Sequence, residues 1–203
     1  MLNRYARAFF TKVFTPLAKL LVRLGVSPDI VTVIGTLGVC VGALFFYPRG
    51  ELLIGTLVIT AFIFSDTLDG VMARLSGRSS TWGAFLDSTL DRVGDAAIFG
   101  GLVLWYAGDG ADTVMAGLAL ACLILGMVTS YAKARAEGLG MTANVGIAER
   151  AERLVVVLVA TGFVGWFLPV IVLKVVLSLL AVASLVTVLQ RMLTVRRQAL
   201  ESR

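Results

Sequence analysis

With 203 residues, 58% of them hydrophobic, a mean hydropathy of +0.92 and 15% charged residues, the chain is too apolar for a soluble globular domain. It has no histidine, which excludes histidine base chemistry and histidine metal ligation, and its two cysteines lie far apart in apolar stretches, as Cys40 and Cys122. That placement argues for hydrophobic filler rather than a disulfide framework or thiolate metal site. The net charge of +5 sits at the ends of apolar runs, a distribution that points to membrane lipids and away from nucleic acid.

Residues 2–24 carry Arg4, Arg7, Lys12, Lys19 and Arg23 and no acid, interleaved with apolar residues three or four apart. The pattern predicts an amphipathic helix lying on a membrane, cations towards anionic headgroups, with a kink at Pro16. A span is excluded there, because five cations in hydrocarbon would each cost about 2.5–3.5 kcal/mol. No short apolar core with a small-residue cleavage site is present, so no removable signal peptide is expected. Ser27-Pro28 then supplies a cap and a first helical proline. Six apolar runs follow, at about 30–47, 52–75, 82–106, 112–135, 154–167 and 170–190, separated by turns such as Pro48 to Glu51 and Gly108 to Gly110 and by a polar loop over 138–145. The expected fold is an all-α integral membrane protein of one domain, 1–203, with six transmembrane helices over about 30–190 preceded by the amphipathic juxtamembrane helix. All but Arg49 and Lys174 of the eighteen basic residues fall at one set of helix ends. The positive-inside rule makes that side cytoplasmic, together with both termini.

Four carboxylates stand out at the same side. Asp66 and Asp69 end the second run, Asp87 and Asp91 begin the third, and the short connector 76–81 reads as the turn of a helical hairpin. Each pair shares a helix face, and an antiparallel hairpin brings all four to similar depth. Unpaired, they would cost on the order of 10 kcal/mol. An all-carboxylate cluster instead suits hard divalent cations, Mg²⁺ or Mn²⁺, and a pair of ions suits phosphoryl chemistry. Two other readings are open at this point: structural ion pairs with Arg74, Arg78 and Arg92, or an ion-coupled transporter. The transporter lacks support from paired, Gly- or Pro-interrupted repeats.

The residues Asp66-x2-Asp69-Gly70-x2-Ala73-Arg74-x8-Gly83-x3-Asp87-x3-Asp91 match the signature of the CDP-alcohol phosphotransferases, and on them the chain is identified as a member of that family. The resemblance implies displacement of CMP from a CDP-linked lipid by an alcohol. It implies that Asp66, Asp69, Asp87 and Asp91 hold two divalent cations, Mg²⁺ with Mn²⁺ as the alternative, and that Asp91 is also the general base. It further implies that CDP-diacylglycerol contacts Gly70, Arg74, Ser80 and the segment Asp29, Ile30, Val31 and Thr32. A homodimer in the cell membrane of a prokaryote, with its active site cytoplasmic, belongs to the same expectation.

A second constellation addresses the acceptor. Ser130, Lys133, Arg135, Arg153 and Arg191 come from three helix ends on the acidic side, and arginine suits bidentate phosphate recognition. Positive-inside topology and snorkelling to headgroups account for Arg196, Arg197 and Arg203, and are the alternative reading for the other five. The stretches SYAKARAE and GIAERAERL resemble those of the prokaryotic branch of the family that makes phosphatidylinositol phosphate. The acceptor so implied is an inositol phosphate, D-myo-inositol 3-phosphate, with glycerol 3-phosphate, and hence phosphatidylglycerophosphate, as the alternative.

Overall fold

The computed structural model describes the backbone of residues 2–76 and 80–201, and the side chains of 13–64, 68–75 and 80–201. The side chain of Asp66 and all of Arg78, both weighed above, lie outside the described residues. Those described form seven α-helices and no strand. The helices are α1 (Leu2–Arg23), α2 (Pro28–Val41), α3 (Leu52–Ser76), α4 (Thr81–Ala107), α5 (Thr113–Glu137), α6 (Arg150–Trp166) and α7 (Val170–Glu201). A π turn, Gly42–Phe46, and a 3₁₀ turn, Tyr47–Arg49, carry α2 on to its end.

The boundaries follow local chemistry. Ser27 caps α2 by accepting from the Ile30 amide, with Pro28 in the first turn, where its missing N–H costs nothing. Gly50, at φ +75°, supplies the left-handed residue that the turn into α3 requires. α6 starts four residues before the apolar run does, because Glu149 and Glu152 form a reciprocal capping box. α7 continues past the apolar run to Glu201. At about 1.5 Å per residue its 32 residues outreach a hydrocarbon core of about 30 Å. Among the described residues, four stretches are long and apolar enough to cross a membrane: Pro28–Arg49, Leu52–Leu75, Thr113–Glu137 and Val170–Glu201.

Six helices close a ring in which α2 packs on α3, α3 on α6, α6 on α7, α7 on α5, α5 on α4 and α4 back on α2. α3 and α4, expected as a hairpin, scarcely touch among the described residues, since both lean on α2. The gap left between them, where α3 stops and α4 starts, is the room in which the site lies. Far from that end, the ring is filled by Tyr47, Ile59, Leu102, Met115, Leu173 and Leu177, all fully or almost fully buried. The Tyr47 hydroxyl shares a 2.9 Å hydrogen bond with Thr56, which satisfies both polar groups inside the core.

α1 has two apolar faces. Phe14, Ala18, Leu21 and Val22 pack against Leu68, Val71 and Met72 of α3 or their neighbours, with Ala18 fully buried. Val13, Leu17 and Leu20 are exposed on another side, as is Leu24 just past the helix end. The helix is thus pinned to the site end of α3 and still presents an apolar stripe. It runs through Pro16 as one helix.

Close backbone approach sets the packing of α4 on the turn after α2. A Cβ at Gly101 would lie 2.5 Å from the Ala43 carbonyl oxygen, whereas one at neighbouring Gly100 would meet nothing within 4 Å. Gly101→Ala is therefore expected to destabilise by about 1–3 kcal/mol through overpacking. Gly100→Ala should be neutral or stabilising by up to about 1 kcal/mol through helix propensity. Thermal unfolding of both variants in one detergent checks the pair, and equal melting temperatures would contradict it.

Candidate active site

Three adjoining cavities occupy the site end of the ring, and carboxylates stand on the walls between them. The first, of ≈ 250 Å³, lies between the start of α2, the end of α3 and the start of α4. Asp29, Thr32, Asp69, Gly70, Ser80, Gly83 and Asp87 line it. Two helix N-termini open into it, which favours an anionic ligand. Ser80 caps α4 by accepting from the Gly83 amide at 2.9 Å, so its hydroxyl proton is left to be donated. A Cβ at Gly83 would stand 3.4 Å from Ser80 Oγ and 3.8 Å from Asp29 Oδ1, and one at Gly70 would meet only Arg74 Nη1, at 3.6 Å. Both glycines thus keep the backbone open to whatever fills the cavity.

The second cavity, ≈ 50 Å³, is narrow and mostly apolar, walled by Val39, Phe62, Ile98 and Leu154, with Asp69, Asp91 and Arg150 at its polar end. Asp69 is buried and accepts a 2.5 Å hydrogen bond from Thr32. It lines both this cavity and the first.

The third, ≈ 690 Å³, falls within the size of small-molecule sites, about 300–1,000 Å³. Asp91, Arg92, Ser130, Lys133, Glu149, Arg150, Arg153 and Arg191 surround it. Asp91 and Arg150 line both the second and the third, so they form the partition.

Charge is arranged tightly at that partition. Arg150 reaches across the ring from α6 to α4, with Nη1 at 2.8 Å from Asp91 Oδ1 and Nε at 3.0 Å from Asp95 Oδ1. Arg92 lies 3.5 Å from Asp91 and 3.8 Å from Asp95, and Arg153 lies 3.7 Å from Asp95. Three guanidinium groups therefore meet two carboxylates, leaving an excess of one positive charge beside the largest cavity. Arg153 is 2% exposed, and its Nε and Nη1 find no hydrogen-bond partner among the described residues. A buried guanidinium with unpaired donors is costly unless an anion completes it. Gly126 makes the space, since a Cβ there would stand 3.2 Å from Arg153 Cζ and Nη2.

Of the acceptor residues expected from the sequence, Ser130, Lys133, Arg153 and Arg191 come together here, and Arg135 does not line the cavity. Two positions along a helix of 3.6 residues per turn carry Arg135 to the far side of α5 from Lys133, and it is exposed. Arg191 is buried and donates from Nε to the Val145 carbonyl at 3.0 Å and from Nη1 to the Thr129 carbonyl at 2.6 Å. It clips the 138–149 loop to α5 and α7 as well as facing the cavity.

Of the donor residues, Asp29, Thr32, Gly70 and Ser80 line the first cavity, together with Asp69 and Asp87. Ile30 is 51% exposed and Val31 packs against the α1–α3 cluster. Arg74 is exposed. Among the described residues no three acids are grouped closely enough to hold one ion. Sequence reasoning missed Asp95 and Arg150, although Asp95 continues the four-residue spacing of Asp87 and Asp91, and Arg150 lies inside the stretch quoted above.

An acid-lined and a base-lined cavity, joined through a narrow third with Asp69 at one wall and Asp91 at the other, lie at one end of a ring of apolar helices, an arrangement suited to a membrane-bound transferase. The chain belongs to the CDP-alcohol phosphatidyltransferase family, whose model matches residues 25–195. A phosphatidylinositol phosphate synthase of Streptomyces avermitilis is 58% identical over 208 residues, spanning 100% of this chain and 85% of that protein. Another, from Cutibacterium acnes, is 50% identical over 200 residues, covering 94% of this chain and 96% of that one. The crystal structure of Mycobacterium tuberculosis phosphatidylinositol phosphate synthase with CDP-DAG bound superposes with a TM-score of 0.87 at 42% identity, over 91% of this chain and 94% of that one. The same enzyme in complex with manganese and citrate gives 0.86 at 43%, over 90% and 88%.

The Arg191 clip yields a structural test. Replacing it with glutamine removes charge-assisted hydrogen bonds worth about 1.5–3 kcal/mol. Amide exchange across 138–149 should rise by about ten- to hundredfold, and unchanged protection would show that the loop is held by other contacts.

Proposed function

We propose that this chain transfers the phosphatidyl group of CDP-diacylglycerol to an inositol phosphate, D-myo-inositol 3-phosphate, releasing CMP in phospholipid biosynthesis. The observation that carries it is the largest cavity, where Ser130, Lys133, Arg153 and Arg191 surround a space whose inner wall is Asp91. The names of the similar proteins support the same product, and membership of a transferase family removes the transporter reading.

The donor's CDP group takes the first cavity, where the starts of α2 and α4 and the open backbone at Gly70 and Gly83 receive it, with Ser80 donating to an oxygen and Arg74 closing over it. Asp66, Asp69, Asp87 and Asp91 are the residues to hold two Mg²⁺ ions, or Mn²⁺. The all-oxygen donor set fits a hard cation, and Asp69 and Asp87 already share one cavity. When bound, such ions supply positive charge against the pyrophosphate oxygens. Arg153, its unpaired donors turned to the acceptor phosphate, holds the inositol ring with one hydroxyl towards Asp91. Asp91 takes the proton of that hydroxyl, its oxygen bonds to the phosphatidyl phosphorus, and the bond from that phosphorus to the CMP oxygen breaks.

This reading places the protein in a bacterial cell membrane as one domain with six spans. α4 and α6 join the four more continuously apolar stretches, because the charges of α4 gather near its site end and α6 is wedged between α3 and α7. The outward stripe of α1 suits an interfacial helix. The arginine-rich ends put the site and both termini in the cytoplasm. A homodimer belongs to the same reading, and the mass of the detergent-solubilised particle checks it.

Purified protein given CDP-diacylglycerol, Mg²⁺ and a panel of acceptors should release CMP with inositol phosphate and not with free inositol. Preference for glycerol 3-phosphate would overturn the acceptor assignment. Arg153→Ala should raise acceptor KM by about ten- to hundredfold and leave donor KM nearly unchanged, because one charged hydrogen-bond partner is lost. Asp91→Asn should lower kcat by about 10²-fold or more, since an amide takes no proton. Full turnover in Asp87→Asn, or in excess chelator, would contradict the metal assignment.

A further inference from the structure

We propose that Asp95, outside the family signature, is a positioning residue: it is the second partner to which Arg150 retreats when a cation takes Asp91. The inference rests on the reading of Asp91 as a cation ligand and goes beyond it. In the structure Arg150 spreads one guanidinium over two carboxylates a helical turn apart, Nη1 on Asp91 Oδ1 at 2.8 Å and Nε on Asp95 Oδ1 at 3.0 Å. Asp91 Oδ1 thereby has a positive group where a metal ion would bind. A divalent cation arriving there repels Arg150, whose side chain is 29% exposed and comes from another helix.

Asp95 makes that displacement cheap. Its side chain is 6% exposed, and it already accepts the Arg150 Nε, so Arg150 can leave the Asp91 carboxylate and keep its hold on Asp95, with Nη2 still 3.5 Å from the Asp91 main-chain carbonyl. Without Asp95, Asp91 would be the only carboxylate left to Arg150 in this cluster, and the guanidinium would compete with the cation for it. Arg92 and Arg153 also face the pair, from α4 and α6, and raise the competition further. Asp95 therefore acts through Arg150, without touching substrate.

Mn²⁺ binding to the purified, substrate-free protein, followed by electron paramagnetic resonance, tests this directly. Asp95→Asn should weaken binding by about tenfold or more, the scale of one charge-assisted contact. Arg150→Gln should tighten it, and Asp95→Glu should stay near the parent protein. The double variant Asp95→Asn/Arg150→Gln should lie within about twofold of Arg150→Gln alone, because the effect of Asp95 passes through Arg150. If Asp95→Asn weakens Mn²⁺ by the same factor in both backgrounds, Asp95 acts only through its own charge and the proposal fails. It fails too if Arg150→Gln leaves affinity unchanged, an outcome readable even if Asp95→Asn does not fold. Asp87→Asn separates this failure from that of the cation site: Mn²⁺ bound there as tightly as by the parent protein would overturn the site and the inference together.

Discussion

The reach of Arg150 from α6 to Asp91 and Asp95 on α4 is the contact on which the site end depends. Elsewhere the ring is held by apolar packing between sequential neighbours around its circumference. At this end α3 and α4 stand apart, and charge ties α4 to α6 across the ring. Five charged groups in so small and partly buried a volume are tolerable only because nearly every carboxylate oxygen meets a guanidinium. The remainder, one positive charge and the unpaired donors of Arg153, faces the largest cavity. An anion there completes what the protein leaves incomplete.

In the proposed reaction that arrangement separates two anionic ligands and brings them to one point. The donor-side cavity draws on helix N-termini and exposed backbone, and the acceptor-side cavity on arginine and lysine. Asp69 and Asp91 stand on the successive walls between them. The proposed acceptor hydroxyl and donor phosphorus meet directly beside Asp91.

Much of this was legible in the sequence for identifiable reasons. Hydropathy and the caps at Ser27, Gly50 and Gly108 located every helix, and the acid spacing placed Asp69 and Asp87 on one cavity. Boundaries failed where helix formation and apolarity part company: the capping box at Glu149 starts α6 in polar sequence, and α7 continues through Arg196 and Arg197. Residues 77–79 of the expected hairpin turn lie outside the described residues, and α3 and α4 pack on α2 rather than closely on each other, which adjacency in sequence does not reveal. Asp95 was passed over because its partner Arg150 lies 55 residues away on a helix across the ring. Arg135 was grouped with Lys133 by proximity in sequence, although the helical angle between them separates the two.

The stereochemical course at phosphorus tests the direct meeting of donor and acceptor most squarely. CDP-diacylglycerol carrying a chiral thiophosphate at the phosphatidyl phosphorus would be turned over with inositol phosphate and the configuration of the lipid product assigned by phosphorus NMR. A single in-line displacement beside Asp91 predicts inversion. Retention would contradict it, because two displacements through a phosphatidylated side chain would then be required.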